Sequence, residues 1–147
     1  IREIGRPVDP QAIDDALCSF LLDLPQYKLD MLLDLRRQGY RVFMLSNTNP
    51  IMMRFMMEHR FKQQGLTIDA YFDRLFLSYR MKLVKPYPEI YRKMIDESGI
   101  LPAESLFIDD SEANIRTAAS LGFNTYLAAQ HEDFRNLFSQ YEPFTEK

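Results

Sequence analysis

Apolar positions along the chain alternate between helical spacing and short continuous runs, and each change marks an element. Asp9 followed by Pro10 opens a helix, with aspartate at the N-cap and proline at the first helical position. Ile13, Leu17 and Phe20, with Ala16 and Leu21, give it one apolar face, and Pro25 closes the segment. A second helix carries Leu29, Leu32 and Leu33 and ends at Gly39, where a left-handed cap belongs. Val42 to Leu45 is short and continuously apolar, which predicts a buried strand with Ser46 and Asn47 at its tip. Asn49–Pro50 starts a third helix, with Met52, Phe55 and Met56 facing inward as adaptable core filler.

Residues 67–73 predict a short helix or turn, 75–77 a short strand, and 78–88 a loop in which two prolines hold Lys85 and Tyr87 extended. Pro88 opens a helix carrying Ile90, Tyr91, Met94 and Ile95, which Gly99 ends; Pro102 marks a turn. Leu106, Phe107 and Ile108 then form another buried strand, residues 112–121 a helix stopped by Gly122, and Phe123 to Leu127 a last strand. Phe134, Leu137 and Phe138 define a closing helix. Strands alternating with helices imply an α/β fold, a Rossmann-like parallel sheet with helices on both faces.

The strand at Leu106 ends in two adjacent carboxylates, Asp109 and Asp110. Neighbouring side chains on a strand point to opposite faces, so both can share a site only where the strand ends and the chain turns. In an α/β sheet that turn lies at the carboxyl edge, where ligands bind. Two carboxylates in a partly dry crevice repel unless a cation sits between them, and Mg²⁺, held through oxygens, fits best. The competing reading is that the pair caps the following helix. Ser46, Asn47 and Lys85 fall at strand ends or loops of the same inferred edge and, with the carboxylates, would make a phosphate site. Singly, Ser46 also reads as a turn residue, Asn47 as a local cap and Lys85 as a surface lysine.

Composition narrows the class. The 147 residues, 46% hydrophobic and 27% charged, have the balance of one soluble globular domain. A net charge of −3 gives no general attraction to nucleic acid or an anionic membrane, so neither is expected as a partner. Cys18 is the one cysteine; it has no internal disulfide partner, reads as a packing residue, and suits a reducing cytosol. No run approaches the roughly 18 apolar residues of a membrane span, and no secretory pattern opens the chain, so a cytoplasmic location is expected. His59 and His131 lack metal-ligand spacing to each other, and the dipole of a helix end accounts for His59. Tyr87 and Tyr91 fit either the entrance of a site or ordinary packing.

The segments VFMLSNTN (42–49), KPYPEIY (85–91) and LFIDDSEANI (106–115), followed by LGFNT (121–125), resemble the second, third and fourth motifs of haloacid-dehalogenase-superfamily hydrolases. Glucose-1-phosphatase-like phosphatases and the phosphatase domain of bifunctional epoxide hydrolases are the nearest in pattern. The resemblance implies that Ser46 and the amide side of Asn47 bind phosphoryl oxygens and that Lys85 neutralises phosphate and nucleophile. Asp110 would be the main Mg²⁺ ligand, Asp109 would support the metal or Lys85, and Asn114 would supply a second-shell amide. It implies a Mg²⁺-dependent phosphomonoesterase of small phosphorylated metabolites working through an aspartyl-phosphate. A non-catalytic phosphate-binding or protein-interaction module is the alternative.

The family's nucleophilic aspartate closes an apolar strand near the amino terminus, and nothing before Ser46 fits it. Asp9, Asp14, Asp15, Asp23, Asp30 and Asp34 all sit in or beside amphipathic helices. Residues 1–25 instead resemble the end of a helical cap, with IREIGRP as the end of a helix, and residues 26–147 an α/β core without its first strand. The expectation is a chain that is inactive alone, completed by an upstream segment of the same protein whose strand lies between those ending at Ser46 and Asp109.

Overall fold

The computed structural model describes residues 9–19, 21 and 23–140; the readings of Phe20 and of residues 1–7 lie outside them. The chain divides into two units, Ile1–Val42 with Thr48–Arg74 and Phe43–Asn47 with Leu75–Lys147.

The first unit is helical. Helix α1 (Pro10–Cys18) starts where the sequence predicts, the Asp9 carboxylate accepting the Gln11 amide at 3.1 Å. None of its residues is buried, and Ile13 is 39% exposed. The face read from Ile13 and Leu17 is thus not a core face within the described part of α1. Helix α2 (Gln26–Arg37) buries Leu29 and Leu35. Its end is closed by amides of Gly39 and Tyr40 donating to the carbonyls of Arg36 and Leu35, at 3.0 and 3.1 Å. That double bond pattern needs a left-handed residue, and Gly39 has φ +88°.

Helix α3 (Pro50–Phe55) is capped by Asn49, which accepts the Met52 amide at 2.9 Å, and continues into a π-helical turn, Met56–Arg60. Met53 is the buried residue of α3, while Met52, Phe55 and Met56 are half-buried. The reason is local: residues 51–53 and 55–57 are all apolar, so spacing offers no contrast between faces. Phe61, Ile68 and Tyr71 complete the buried apolar set of this unit with Leu29, Leu35 and Met53.

The second unit is α/β. Strand β1 (Phe43–Ser46) pairs with β2 (Arg74–Leu77), and β3 (Leu106–Asp109) pairs in parallel with β4 (Asn124–Leu127), Asp109 opposite Leu127. Among the described residues no strand joins the two pairs. Where the sequence reads as loop after residue 77, a single helical turn, α4 (Ser78–Met81), follows and buries Ser78 and Met81. One turn is too short to show periodicity.

Helix α5 (Pro88–Ser98) buries Ile90, Tyr91 and Met94, and α6 (Glu112–Ser120) buries Asn114 and Ala118. The apolar core gathers Ile90, Tyr91, Met94 and Ala118 with Phe76, Met81, Ile100, Phe107 and Phe123, and Phe43 and Leu45 pack against it. Each fully buried side chain of this size contributes about 1.5–3 kcal/mol. The closing helix expected at 134–138 is a 3-10 helix, Arg135–Gln140, whose first turn is tied to the Asp133 carboxylate through the Arg135 amide and guanidinium.

Candidate functional site

Three segments of the second unit meet at Lys85. Strand β1 ends at Ser46 and hands the chain to Asn47, whose side chain lies along the backbone of Lys85. Asn47 Oδ1 accepts the Lys85 amide at 2.8 Å, and Asn47 Nδ2 donates to the Lys85 carbonyl at 2.9 Å. A carboxamide satisfies both backbone groups of one residue in this way, as a neighbouring strand would. The Asn47 side chain is therefore committed to Lys85.

With its backbone held, Lys85 turns its ammonium inward. Nζ donates to Asp109 Oδ2 at 2.6 Å and stands 5.8 Å from the centroid of the Phe107 ring. The pair is nearly dry, the side chains being 11% and 6% exposed. The other carboxylate oxygen, Asp109 Oδ1, accepts the Ser111 amide at 2.9 Å and Asn114 Nδ2 at 2.8 Å. Burial alone would push the Asp109 carboxyl up; hydrogen bonds from Lys85 and Asn114, the Lys85 charge and the Ser111 amide outweigh it and hold it below the ordinary carboxylate range. Asp109 is an ionised anchor with both oxygens in use.

Asp110 is its opposite. It lies just past the end of β3, exposed, and no described residue bonds to its carboxylate. The helix-cap reading of the pair holds for neither: Ser111 is the N-cap residue of α6, no side chain caps that helix, and Asp109 accepts the Ser111 amide in a local turn ahead of it. Lys85 and Asp109 cancel, so the charge left over is that of Asp110. A phosphate brought here alone would meet a net negative group, and a divalent cation reverses that sign. A free carboxylate beside a second, anchored one suits Mg²⁺, which takes oxygen ligands and keeps several waters. Among the described residues no group of three or more His, Cys, Asp or Glu could hold a metal, so Asp110 would bind it together with water and donors from elsewhere.

The structure thus brings Asn47, Lys85, Asp109 and Asn114 into one hydrogen-bonded chain, with Ser46 next to Asn47 and Asp110 next to Asp109 in sequence. Ser111 and Phe107 escaped the sequence reading. The two-residue step from Asp109 to the Ser111 amide is the spacing of a local aspartate turn, a signal that was present. Nothing local marks Phe107 as the ring beneath an ammonium. Tyr91, readable as entrance or packing, is fully buried, whereas Tyr87 is 64% exposed.

Comparison with known proteins decides the family. The model of haloacid dehalogenase-like hydrolases matches residues 11–122, more than half of the chain. The chain belongs to the haloacid dehalogenase-like hydrolase family. Within that family it is 37% identical over 131 residues to a D-ribitol-5-phosphate phosphatase of Bacteroides thetaiotaomicron, covering 89% of this chain and 63% of that protein. It is 29% identical over 119 residues to (S)-2-haloacid dehalogenase 4A of Burkholderia cepacia, covering 80% of this chain and 49% of that one.

A haloacid dehalogenase-like enzyme of Bacteroides thetaiotaomicron, solved in complex with magnesium and inorganic phosphate, superposes with a TM-score of 0.89 at 44% identity. That match covers 93% of this chain and 69% of the solved one. The chain spans less than two thirds of the length of the two curated relatives.

Proposed function

We propose that this haloacid dehalogenase-like chain is the carboxyl-terminal catalytic part of a Mg²⁺-dependent phosphomonoesterase acting on small phosphorylated metabolites. The observation that carries the proposal is the dry Lys85–Asp109 pair beside the uncommitted carboxylate of Asp110. In this reading Lys85 faces the transferred phosphoryl group with an ammonium that Asp109 holds in place. The Ser46 hydroxyl and the Asn47 backbone N–H donate to phosphoryl oxygens, and Asp110 leads the protein ligands of the metal, supported by Asp109. Mg²⁺, when bound, would supply charge neutralisation for the phosphoryl oxygens. That one relative is a D-ribitol-5-phosphate phosphatase makes sugar and alditol phosphates the first substrates to try. A metal-supported site also separates this reading from dehalogenation, for which the carboxylate pair is not needed. The chain's unpaired cysteine is in keeping with a cytoplasmic enzyme.

The nucleophile belongs, in this proposal, to an aspartate at the end of a strand outside the chain, inserted between β1 and β3. Two features support it. The aspartates before Ser46 all lie in the other unit, in or beside α1 and α2, and none ends a strand. The two strand pairs are also not closed onto one another among the described residues. Buried ladder groups without partners cost about 1–3 kcal/mol each, so a strand entering there would stabilise the sheet. Residues 1–25 would then be the end of a cap. The test compares phosphate release from a panel of small phosphomonoesters by the 147-residue chain and by the full-length protein. The proposal expects Mg²⁺-dependent release by the full-length protein and none by the chain alone. Phosphate binding without release by the full-length protein would replace it with a binding module.

A further inference from the structure

We infer that Tyr91 is a positioning residue for the Lys85–Asp109 pair, acting on the ammonium through Phe107 and on the carboxylate through Asn114. Its effect on turnover rests on the phosphatase reading above; its effect on the geometry of the pair does not. Tyr91 is on α5, two elements away from Asp109, and is fully buried. A phenylalanine would fill that space with no polar atom to desolvate, and a buried hydroxyl is costly unless it is bonded. The Tyr91 hydroxyl donates to the backbone carbonyl of Asn114 at 3.2 Å. Burial, and secondarily the Asp109 charge, push the phenol well above its ordinary range, so it remains a donor.

The choice of acceptor is what gives the bond meaning. Asn114 lies in the first turns of α6, where a regular helix already supplies its carbonyl with an amide partner four residues on. The carbonyl's second lone pair takes the hydroxyl, so the bond fixes α5 against α6 rather than satisfying an orphan group. It does so at the residue whose side chain donates to Asp109 Oδ1 at 2.8 Å. The ring of Tyr91 also meets Phe107 edge to face, centroids 5.4 Å apart and planes at 66°. Phe107 and Asp109 are two apart on β3 and share a face, and Phe107 lies under the Lys85 ammonium. One side chain therefore braces both supports of the ion pair.

Tyr91→Phe keeps the ring and removes only the hydroxyl, which makes it the informative variant. In the full-length protein it is expected to lower kcat about tenfold with KM for the phosphomonoester unchanged, the size of loss seen when outer partners of a site are removed. In an Asn114→Ala background Tyr91→Phe should lower kcat no further, because the side-chain bond to Asp109 through which the hydroxyl acts is already gone. The spectroscopic readout is the side-chain amide resonance of Asn114 in protein labelled with ¹⁵N-asparagine, which should shift and exchange faster with solvent in Tyr91→Phe. A folded Tyr91→Phe protein with kcat within about twofold of wild type, or with the Asn114 resonance unmoved, overturns the inference. A lowered melting temperature with kcat and resonance unchanged also overturns it, since that is a structural role. If the wild-type protein releases no phosphate, the functional reading fails separately and the Asn114 resonance alone decides whether Tyr91 positions the pair.

Discussion

Asn47 grips Lys85 by both backbone polar groups, 2.8 Å at the amide and 2.9 Å at the carbonyl, although the two residues are 38 positions apart. The bond pair fixes where the lysine leaves the main chain, and so where its ammonium meets Asp109. Asn47→Ala should cost about 1 kcal/mol in urea unfolding, the net worth of exposed hydrogen bonds. Its cost in phosphate turnover should be much larger, because it frees the Lys85 backbone. Equal small losses in both would show that Lys85 is held by other means.

Breaking the dry ion pair from the carboxylate side is expected to be severe. Asp109→Asn leaves the Lys85 ammonium, 11% exposed, without its counter-charge. Removing one partner of a buried pair costs about 3–5 kcal/mol, and guanidinium midpoints would report it. The double change Asp109→Asn with Lys85→Met should recover part of that loss. A double variant as unstable as the sum of the two single ones would contradict the pairing.

The same pair predicts an acid limb. The folded Asp109 carboxyl titrates below its ordinary value, so its contribution to stability is complete above the unfolded carboxylate range near pH 4 and is lost as pH falls through the lower folded value. Stability measured from pH 6 down to pH 2 should therefore fall more steeply in the wild-type protein than in Asp109→Asn. Parallel slopes would remove Asp109 from the account.

Ile90, fully buried in the core of the second unit, gives a control away from the site. Ile90→Ala should cost about 2–5 kcal/mol in urea unfolding. It should leave the Mg²⁺ requirement of any surviving activity unchanged.

Much of this arrangement was legible in the residues because its parts are local. The continuous runs at 42–45 and 106–108 mark strands, the first beginning one residue later than read, Asp9 and Asn49 cap the helices they were expected to cap, and Asp109 and Asp110 fall where a strand becomes a helix. Illegible were choices made at long range or without contrast. The methionine-rich stretch of α3 could not reveal Met53 as its buried residue, and a single turn such as α4 carries no period. Adjacent aspartates read alike in sequence. Only tertiary contacts divide them into Asp109, whose oxygens are fully engaged, and Asp110, exposed and bonded to no described residue.

That division is the central claim, and Asp110→Asn tests it most directly. The measurement is phosphate release from a small phosphomonoester by the full-length protein, titrated with Mg²⁺, beside urea unfolding of the same variant. The account predicts a variant as stable as wild type, within about 0.5 kcal/mol as for an exposed group with no partner, yet inactive or needing far more Mg²⁺. A variant with wild-type turnover and an unchanged Mg²⁺ midpoint would show that Asp110 holds no metal and that the site has been assigned the wrong chemistry.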